Sequence, residues 1–465
     1  MTSAFIEVFN PATGQKLGQV PAASVSDVAA VVAQGVVGQA AMAATPAHRR
    51  QALLLKLASL MEQDLEELAQ LDAAENGKPI QQTRGEVEAA IRIFRGYAAE
   101  ATRILGRQFP MDAVPGLETS FAVTVREPLG LVAALIPFNY PVELYSHKAA
   151  AALAAGNAVL TKPPTRCPLT LFKIHEYYAK AGFPEYAHQV IVGHRDVVAA
   201  IADHPDVAAV TLTGGTEAGR NVAERCARRF AKVFLELGGN DPLIVLDDAD
   251  LDKAVDAIVF GRLARGNGQI CCAVKRVYAQ AGIHDALASA LVAKTKTLVV
   301  GDQLDEATDV GPLIAEGDAV EVEAAIGQLV VEGGKLVVGG QRHGAFVDPA
   351  VLTNVPPMSQ TMAEEIFGPV VPLVKVDSVE QAIDYANNSQ YGLQAAIFTQ
   401  DINRALKAAK RLKAGSVMIN GTTALRAENL PFGGPGDTGG YREGIHDTVL
   451  DFTKQKTIVA IGALA

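Results

Sequence analysis

Between residues 128 and 250 the chain alternates short apolar runs with stretches of helical length. The runs at 131–136, 158–161, 190–192, 207–213 and 243–246 read as strands, and each of the first three crossovers has room for a helix, such as 168–181. Connections of that length join parallel strands, so this region must form an α/β layer, a parallel sheet with helices on both faces. Ligands of such sheets bind beyond the carboxyl ends of the strands. Lys162 and Gly214 fall just past strand ends, and Glu236 follows the short apolar run Val233-Phe234-Leu235.

The remainder is organised around that region. Leu53, Leu57, Leu60, Met61, Leu65, Leu68 and Leu71 recur at three- and four-residue steps and predict one helix over 46–76, ended by Gly77. A second α/β region spans about 239–435, with a helix over 251–265, a strand at 277–279 and a helix over 402–413. The segments 118–125 and 452–461 read as peripheral strands, candidates for pairing across a subunit interface. Repeats, low-complexity tracts and long linkers are absent, so the domains are expected to interleave.

Composition removes several classes. At 465 residues there is length for roughly three domain-sized units. A net charge of −10 without a Lys/Arg-rich run argues against nucleic-acid binding. The start, Met1-Thr2-Ser3-Ala4-Phe5-Ile6-Glu7, gives no signal-peptide pattern, and no membrane span is expected. Cys167, Cys226, Cys271 and Cys272 are too few for a disulfide framework and lack zinc spacing. A reducing cytoplasm and no metal are the expectations.

Five groups could carry chemistry, and each has a plainer reading. Cys271, in Gly268-Gln269-Ile270-Cys271-Cys272, is either a nucleophile that needs a cation or helix N-terminus to ionise, or an inert core thiol. Glu236, in Leu235-Glu236-Leu237-Gly238-Gly239, sits among apolar neighbours that would raise its pKa toward that of a general base; it could equally be a structural carboxylate. Asn139, stiffened between Pro137 and Pro141, offers an oxyanion donor, whose loss costs roughly 2.7–4 kcal/mol in comparable sites, or is a turn residue. Thr213-Gly214-Gly215-Thr216-Glu217-Ala218-Gly219 would cradle a phosphate at a helix start or be a plain turn. Lys162, before Pro163-Pro164, could reach a ribose or simply be solvated.

Taken in order along the chain, these stretches resemble the aldehyde dehydrogenase superfamily almost end to end. The resemblance begins at Asn10-Pro11-Ala12-Thr13-Gly14 and runs through the motifs above. It closes with Glu364-Glu365-Ile366-Phe367-Gly368-Pro369 and Pro431-Phe432-Gly433-Gly434. It implies a Rossmann-like cofactor domain (1–110 and 128–237), an α/β catalytic domain (238–440) and a small β oligomerisation arm (111–127 and 441–465), in homodimers or homotetramers. By motif, Cys271 resembles the nucleophile and Glu236 the base for the deacylating water. Asn139 with the Cys271 N–H resembles the oxyanion hole. Lys162, Thr165, Gly214, Gly215 and Gly219 fall at adenosine and pyrophosphate contacts of NAD or NADP; Glu365 and Phe367 fall at the nicotinamide ribose and ring. The reaction implied is NAD(P)-dependent oxidation of an aldehyde to the free acid through a cysteine thioester. A coenzyme A-acylating member and a catalytically silent binding protein are the alternatives, and Glu236 argues for hydrolysis.

Within the superfamily the similarity is greatest to the non-phosphorylating glyceraldehyde-3-phosphate, lactaldehyde and phosphonoacetaldehyde dehydrogenases. It rests on Leu237-Gly238-Gly239-Asn240-Asp241-Pro242, Ala273-Val274-Lys275-Arg276-Val277 and Arg426-Ala427-Glu428-Asn429. Arg426, assisted by Arg95 and His147, is the candidate partner of an anionic substrate tail, against a surface ion pair with Glu428. Ile270 stands where phosphate- and phosphonate-using members carry arginine, which favours a singly charged or polar aldehyde. Phe138 replaces the usual tryptophan and Gly215 the usual serine. Thr165 stands where many NAD-dependent members carry glutamate, so NADP should be admitted.

Overall fold

A computed structural model describes residues 5–464; Met1–Ala4 of the start read above, and Ala465, lie outside them. Five parallel strands form the first sheet, in the order His188–Val190, Val159–Lys162, Leu131–Leu135, Val207–Thr213 and Lys232–Glu236. The first strand in sequence is thus central, and chain order reverses between Leu131–Leu135 and Val207–Thr213. That reversal opens a crevice at the carboxyl ends of those two strands. Leu131–Leu135 is buried along its whole length, as a strand covered on both faces must be.

Helix Val25–Ala44 covers one face of this sheet. By length and composition alone it is apolar enough to cross a membrane, a test that core helices also pass. Side-chain hydrogen bonds tie it to the sheet strands and the turns that lead into them. Gln39 accepts from the Ala158 N–H at 2.6 Å and donates to the Gly156 carbonyl at 3.3 Å, and Gln189 donates to the Val31 carbonyl at 2.9 Å.

The helix expected over 46–76 is two, Ala47–Gln63 and Leu65–Asn76. Asp64 leaves helical geometry between them and accepts the Tyr177 hydroxyl at 2.6 Å. Periodicity could not report that bend, because the apolar register continues through it. Gly77 does end the second helix, in the left-handed conformation at φ 96°. The helix read as 251–265 stops at Ile258 and passes through a wider π turn, Val259–Ala264, on its way to the cysteine loop.

A second sheet of seven strands runs Lys335–Val338, Ala350–Thr353, Val370–Val376, Arg276–Gln280, Pro242–Val245, Gln394–Phe398 and Ser416–Ile419, parallel except for its first strand. The peripheral strands Phe121–Pro128 and Thr453–Ala460 pair with each other along eight residues, joined by Gln108–Phe109. This is a pairing within one chain, where the sequence had offered one between subunits. Helix Ile445–Asp451, read as part of the arm, packs on helices Ile80–Glu100 and Pro141–Ala154, with Val449 and Phe452 in their shared core.

Candidate active site

The crevice is a cleft of about 840 Å³ whose walls include Asn139, Lys162, Thr165, Gly214, Cys271 and Glu365. Residues as far apart in sequence as Asn139 and Glu365 meet here because two strand ends and the loop from the second sheet converge. Gly214 donates its N–H to the Glu236 carbonyl at 3.1 Å, and Gly215 precedes helix Thr216–Ala227 with open space where a side chain would stand. A twelve-residue helix aims its free N–H groups at that space, a cradle suited to a pyrophosphate. Gly219 does not line the cleft. A Cβ there would lie 2.5 Å from Leu237, so this glycine lets the helix pack closely on the chain after the neighbouring strand. Lys162 is largely buried on the cleft wall, and burial draws its pKa down to about 8.

At the other end of the cleft stand Glu365 and Phe367, with the Phe367 ring edge-on to Phe138 at 5.9 Å. Three arginines border the cleft. Arg166 pairs with Asp318 and Arg225 with Asp203, whereas Arg195 has no ion-pair partner among the described residues. The sequence reading passed over Arg195; its only signal was its place just after the third strand. Glycine cradle, buried lysine, carboxylate and aromatic wall together fit a nicotinamide dinucleotide, and the free guanidinium fits a 2′-phosphate.

Asn139 leads into helix Pro141–Ala154. Asn76 donates to the Phe138 carbonyl beside it, and Glu86 accepts the Val142 and Glu143 N–H groups at 2.8 and 3.1 Å. Lys78 pairs with Glu86 and, at 3.4 Å, with Asp72, which keeps the capping carboxylate anchored from below. Among the described residues the Asn139 amide oxygen is buried without a hydrogen-bond partner. So are both carboxylate oxygens of Glu236, which is only 1% exposed. Orphaned polar atoms are costly in an interior and mark sites kept for something else. Burial, then the Glu443 carboxylate, pushes the Glu236 pKa up to about 8.

Cys271 is half-buried on the cleft wall, and Cys272 lies in an apolar cluster with Tyr140, Leu144, Ile270 and Phe432. The two thiols share a hydrogen bond that raises Cys271 and lowers Cys272, so they titrate as a pair. Arg265, Lys275 and Arg426 all favour the anion at Cys272, and Lys275 favours it at Cys271. These are the cations that cysteine chemistry required and the sequence could not place.

A smaller cavity of about 260 Å³ opens beside the cysteines, lined among others by Tyr140, Glu143, Phe260, Arg265 and Arg426. Arg426 is not paired with Glu428, which is held by Arg92 at 2.9 Å. Its guanidinium is bound by Glu443 at 2.6 Å and Glu143 at 3.4 Å and lies over the Phe432 ring at 4.4 Å. Arg265 hydrogen-bonds the Tyr140 hydroxyl at 3.3 Å and the Ala424 carbonyl; among the described residues it forms no ion pair, and the Glu143 carboxylate acts on its charge from farther off. Two expected substrate contacts fall away. Arg95 points to the surface and pairs with Glu62 at 2.6 Å, because its turn of the helix faces outward. His147 is wholly buried behind the cavity near Tyr97, and burial lowers its pKa to about 3.

The whole-chain comparison decides the class to which this site belongs. The pattern of the Aldehyde dehydrogenase family matches residues 1–458. The chain belongs to the aldehyde dehydrogenase family. It is 37% identical over 459 residues to 3-sulfolactaldehyde dehydrogenase of Priestia aryabhattai, covering 98% of this chain and 95% of the relative. To the succinate-semialdehyde dehydrogenase [NADP(+)] of Escherichia coli it is 35% identical, covering 97% and 93%. Among solved structures, the NADP-dependent glyceraldehyde-3-phosphate dehydrogenase of Bacillus halodurans, complexed with NADP, superposes with a TM-score of 0.95 at 36% identity, covering 99% and 96%. This aldehyde dehydrogenase is an oxidoreductase that oxidises aldehydes to acids with NAD or NADP, and the acyl-transferring and silent alternatives give way.

Proposed function

We propose that this aldehyde dehydrogenase converts a short anionic aldehyde to the free acid through a thioester on Cys271 that Glu236 releases to water. The carrying observation is the buried Glu236 carboxylate, without a hydrogen-bond partner among the described residues, whose charge acts on the Cys271 thiol of the cleft wall. Cys271 thiolate adds to the aldehyde carbon, and the Asn139 amide with the Cys271 N–H holds the resulting oxyanion. A nicotinamide cofactor, when bound in the cleft, supplies the acceptor for the hydride. The thioester left on Cys271 is then open to a water whose proton passes to Glu236. Expulsion of the thiolate restores the enzyme.

The case for an anionic substrate rests on Arg265, a guanidinium in the smaller cavity that forms no ion pair among the described residues. The relatives named for 3-sulfolactaldehyde, succinate semialdehyde and glyceraldehyde 3-phosphate all take aldehydes with an anionic tail. Ile270 before the nucleophile leaves one cationic contact fewer and favours a single charge. Arg265→Ala should raise KM for anionic aldehydes about 10- to 100-fold, the worth of one charge-assisted hydrogen bond of about 1.5–3 kcal/mol, and leave neutral aldehydes nearly untouched. Equal losses on both sets would overturn the assignment.

We assign the adenosine end to Lys162 and Thr165, the pyrophosphate to Gly214 and Gly215, and the nicotinamide ribose and ring to Glu365 and Phe367. Neutral Thr165 and free Arg195 support admission of NADP. Thr165→Glu should lower kcat/KM for NADP relative to NAD by about tenfold or more through like-charge repulsion with the 2′-phosphate; an unchanged ratio refutes it. Residues 1–110 and 128–237 would then serve the cofactor and 238–440 the chemistry, with the paired outer strands as the arm. Strands Ser416–Ile419 and Thr453–Ala460 each end a sheet with a free edge, which supports a homodimer or homotetramer. Light scattering at the mass of one 48.8 kDa chain would exclude both. The four free thiols fit a reducing cytoplasm.

A further inference from the structure

Lys275 lies four residues past the nucleophile, and its bonds reach beyond the charge it offers the cysteine pair. Its side chain is 2% exposed, and its ammonium donates at once to the Cys271 carbonyl and to Glu365, the latter at 2.6 Å. The ammonium also stands 5.8 Å from the centre of the Phe367 ring. Its own backbone is fixed, since the Lys275 and Arg276 N–H groups both donate to the Asp241 carbonyl, at 3.0 and 3.2 Å. One buried cation therefore bridges the nucleophile loop and the segment that carries the nicotinamide contacts.

The glycine pair after Glu236 shows how closely the bridge is fitted. A Cβ on Gly238 would stand 2.5 Å from Glu365 Oε2, and one on Gly239 would stand 2.6 Å from the Cys271 carbonyl oxygen. The two acceptors of Lys275 thus occupy the space that only glycine leaves at these positions. Gly239 adds a weak N–H donation to Glu365 at 3.4 Å. Without the ammonium, the Glu365 carboxylate loses its ion-pair partner, and the Cys271 carbonyl loses its side-chain donor.

We propose that Lys275 is a positioning residue that holds Glu365 and the Cys271 loop in register, so that the nicotinamide end of the cofactor and the sulfur meet in a reactive arrangement. This rests on the reading of Glu365 as the nicotinamide-ribose contact and Cys271 as the nucleophile. Lys275 touches neither substrate nor reacting atoms; it acts through the two groups it binds. Its effect belongs to the nicotinamide half and spares the adenosine half, which Lys162 and the glycine turn hold separately.

The test compares full-length Lys275→Met, Lys275→Arg, Glu365→Gln and the double variant Lys275→Met/Glu365→Gln. Single-turnover NADPH formation, NADP affinity by calorimetry and cofactor-free alkylation of Cys271 by iodoacetamide are measured for each. Lys275→Met should slow NADPH formation about 100-fold, the effect of a misplacement of about 1 Å, while the Kd for NADP stays within about threefold. Lys275→Arg should recover part of that rate. Cofactor-free alkylation of Cys271 should change in Lys275→Met and stay near wild type in Glu365→Gln, where the carbonyl bond survives. The double variant should be within about twofold of the slower single one, because both changes cut the same link. Wild-type NADPH formation in Lys275→Met, or effects that multiply in the double variant, would overturn the proposal. A wild-type rate in Glu365→Gln would remove the ribose reading instead, and a slow Glu365→Gln beside a normal Lys275→Met would remove the bridge alone. If melting curves show Lys275→Met unfolded, Lys275→Gln takes its place with the same expectations.

Discussion

Glu236→Gln is expected to form NAD(P)H once per active site at a near-normal rate and then stall. The amide fills the same buried space but cannot take a proton from water, so the thioester on Cys271 accumulates. Steady turnover should fall by about 10²–10⁴-fold, the usual worth of a positioned general base. Intact-protein mass spectrometry should find the acyl group on the enzyme at the stalled stage. A variant that turns over normally after its first cycle would show that another group activates the water.

The same residue links catalysis to pH and to stability. Burial raises its pKa to about 8, so the deacylating base becomes ionised as pH rises through that value, and turnover limited by deacylation rises with it. In the unfolded chain the carboxyl titrates near its ordinary value of 4.5. Between 4.5 and about 8 the folded state therefore holds a proton that the unfolded state has released. Stability falls as pH climbs through that window and levels off above it. The melting-temperature gain of Glu236→Gln over wild type should grow from pH 5 to pH 8 and then flatten. A gap independent of pH would deny the raised pKa.

Cys271→Ala is the companion result, with activity expected to fall by roughly four orders of magnitude or more, since a covalent route without its nucleophile has no detour. Cys272 offers no replacement, because it sits in the apolar cluster around Tyr140 and Phe432 and not on the cleft wall. No NAD(P)H burst should appear with any aldehyde, while NADP binding persists. An enzyme lacking Cys271 that still oxidised aldehyde would refute the thioester altogether.

How much of this the sequence carried depends on the range of the interaction. Strands 131–135 and 207–213 were legible within a residue or so because each is a local apolar run. The later strands Val370–Val376 and Gln394–Phe398 were passed over although they are buried apolar runs of the same kind. Chemistry-bearing residues beside glycine and proline stood out for the same local reason. Arg265, Arg195 and Lys275 did not, because a cation is commonplace until its partners are known. Arg95 and Arg426 were indistinguishable as letters, yet one lies on the surface with Glu62 and the other inside with Glu443.

Sequence alone determined the alternating α/β layer, the order of the motifs and the identities of thiol, carboxylate and amide, all of which are properties of short segments. Tertiary structure decided which charges are balanced. Whether a guanidinium or ammonium is spent on a neighbour or left for a ligand depends on residues tens to hundreds of positions away, and only folding brings those within a few ångströms.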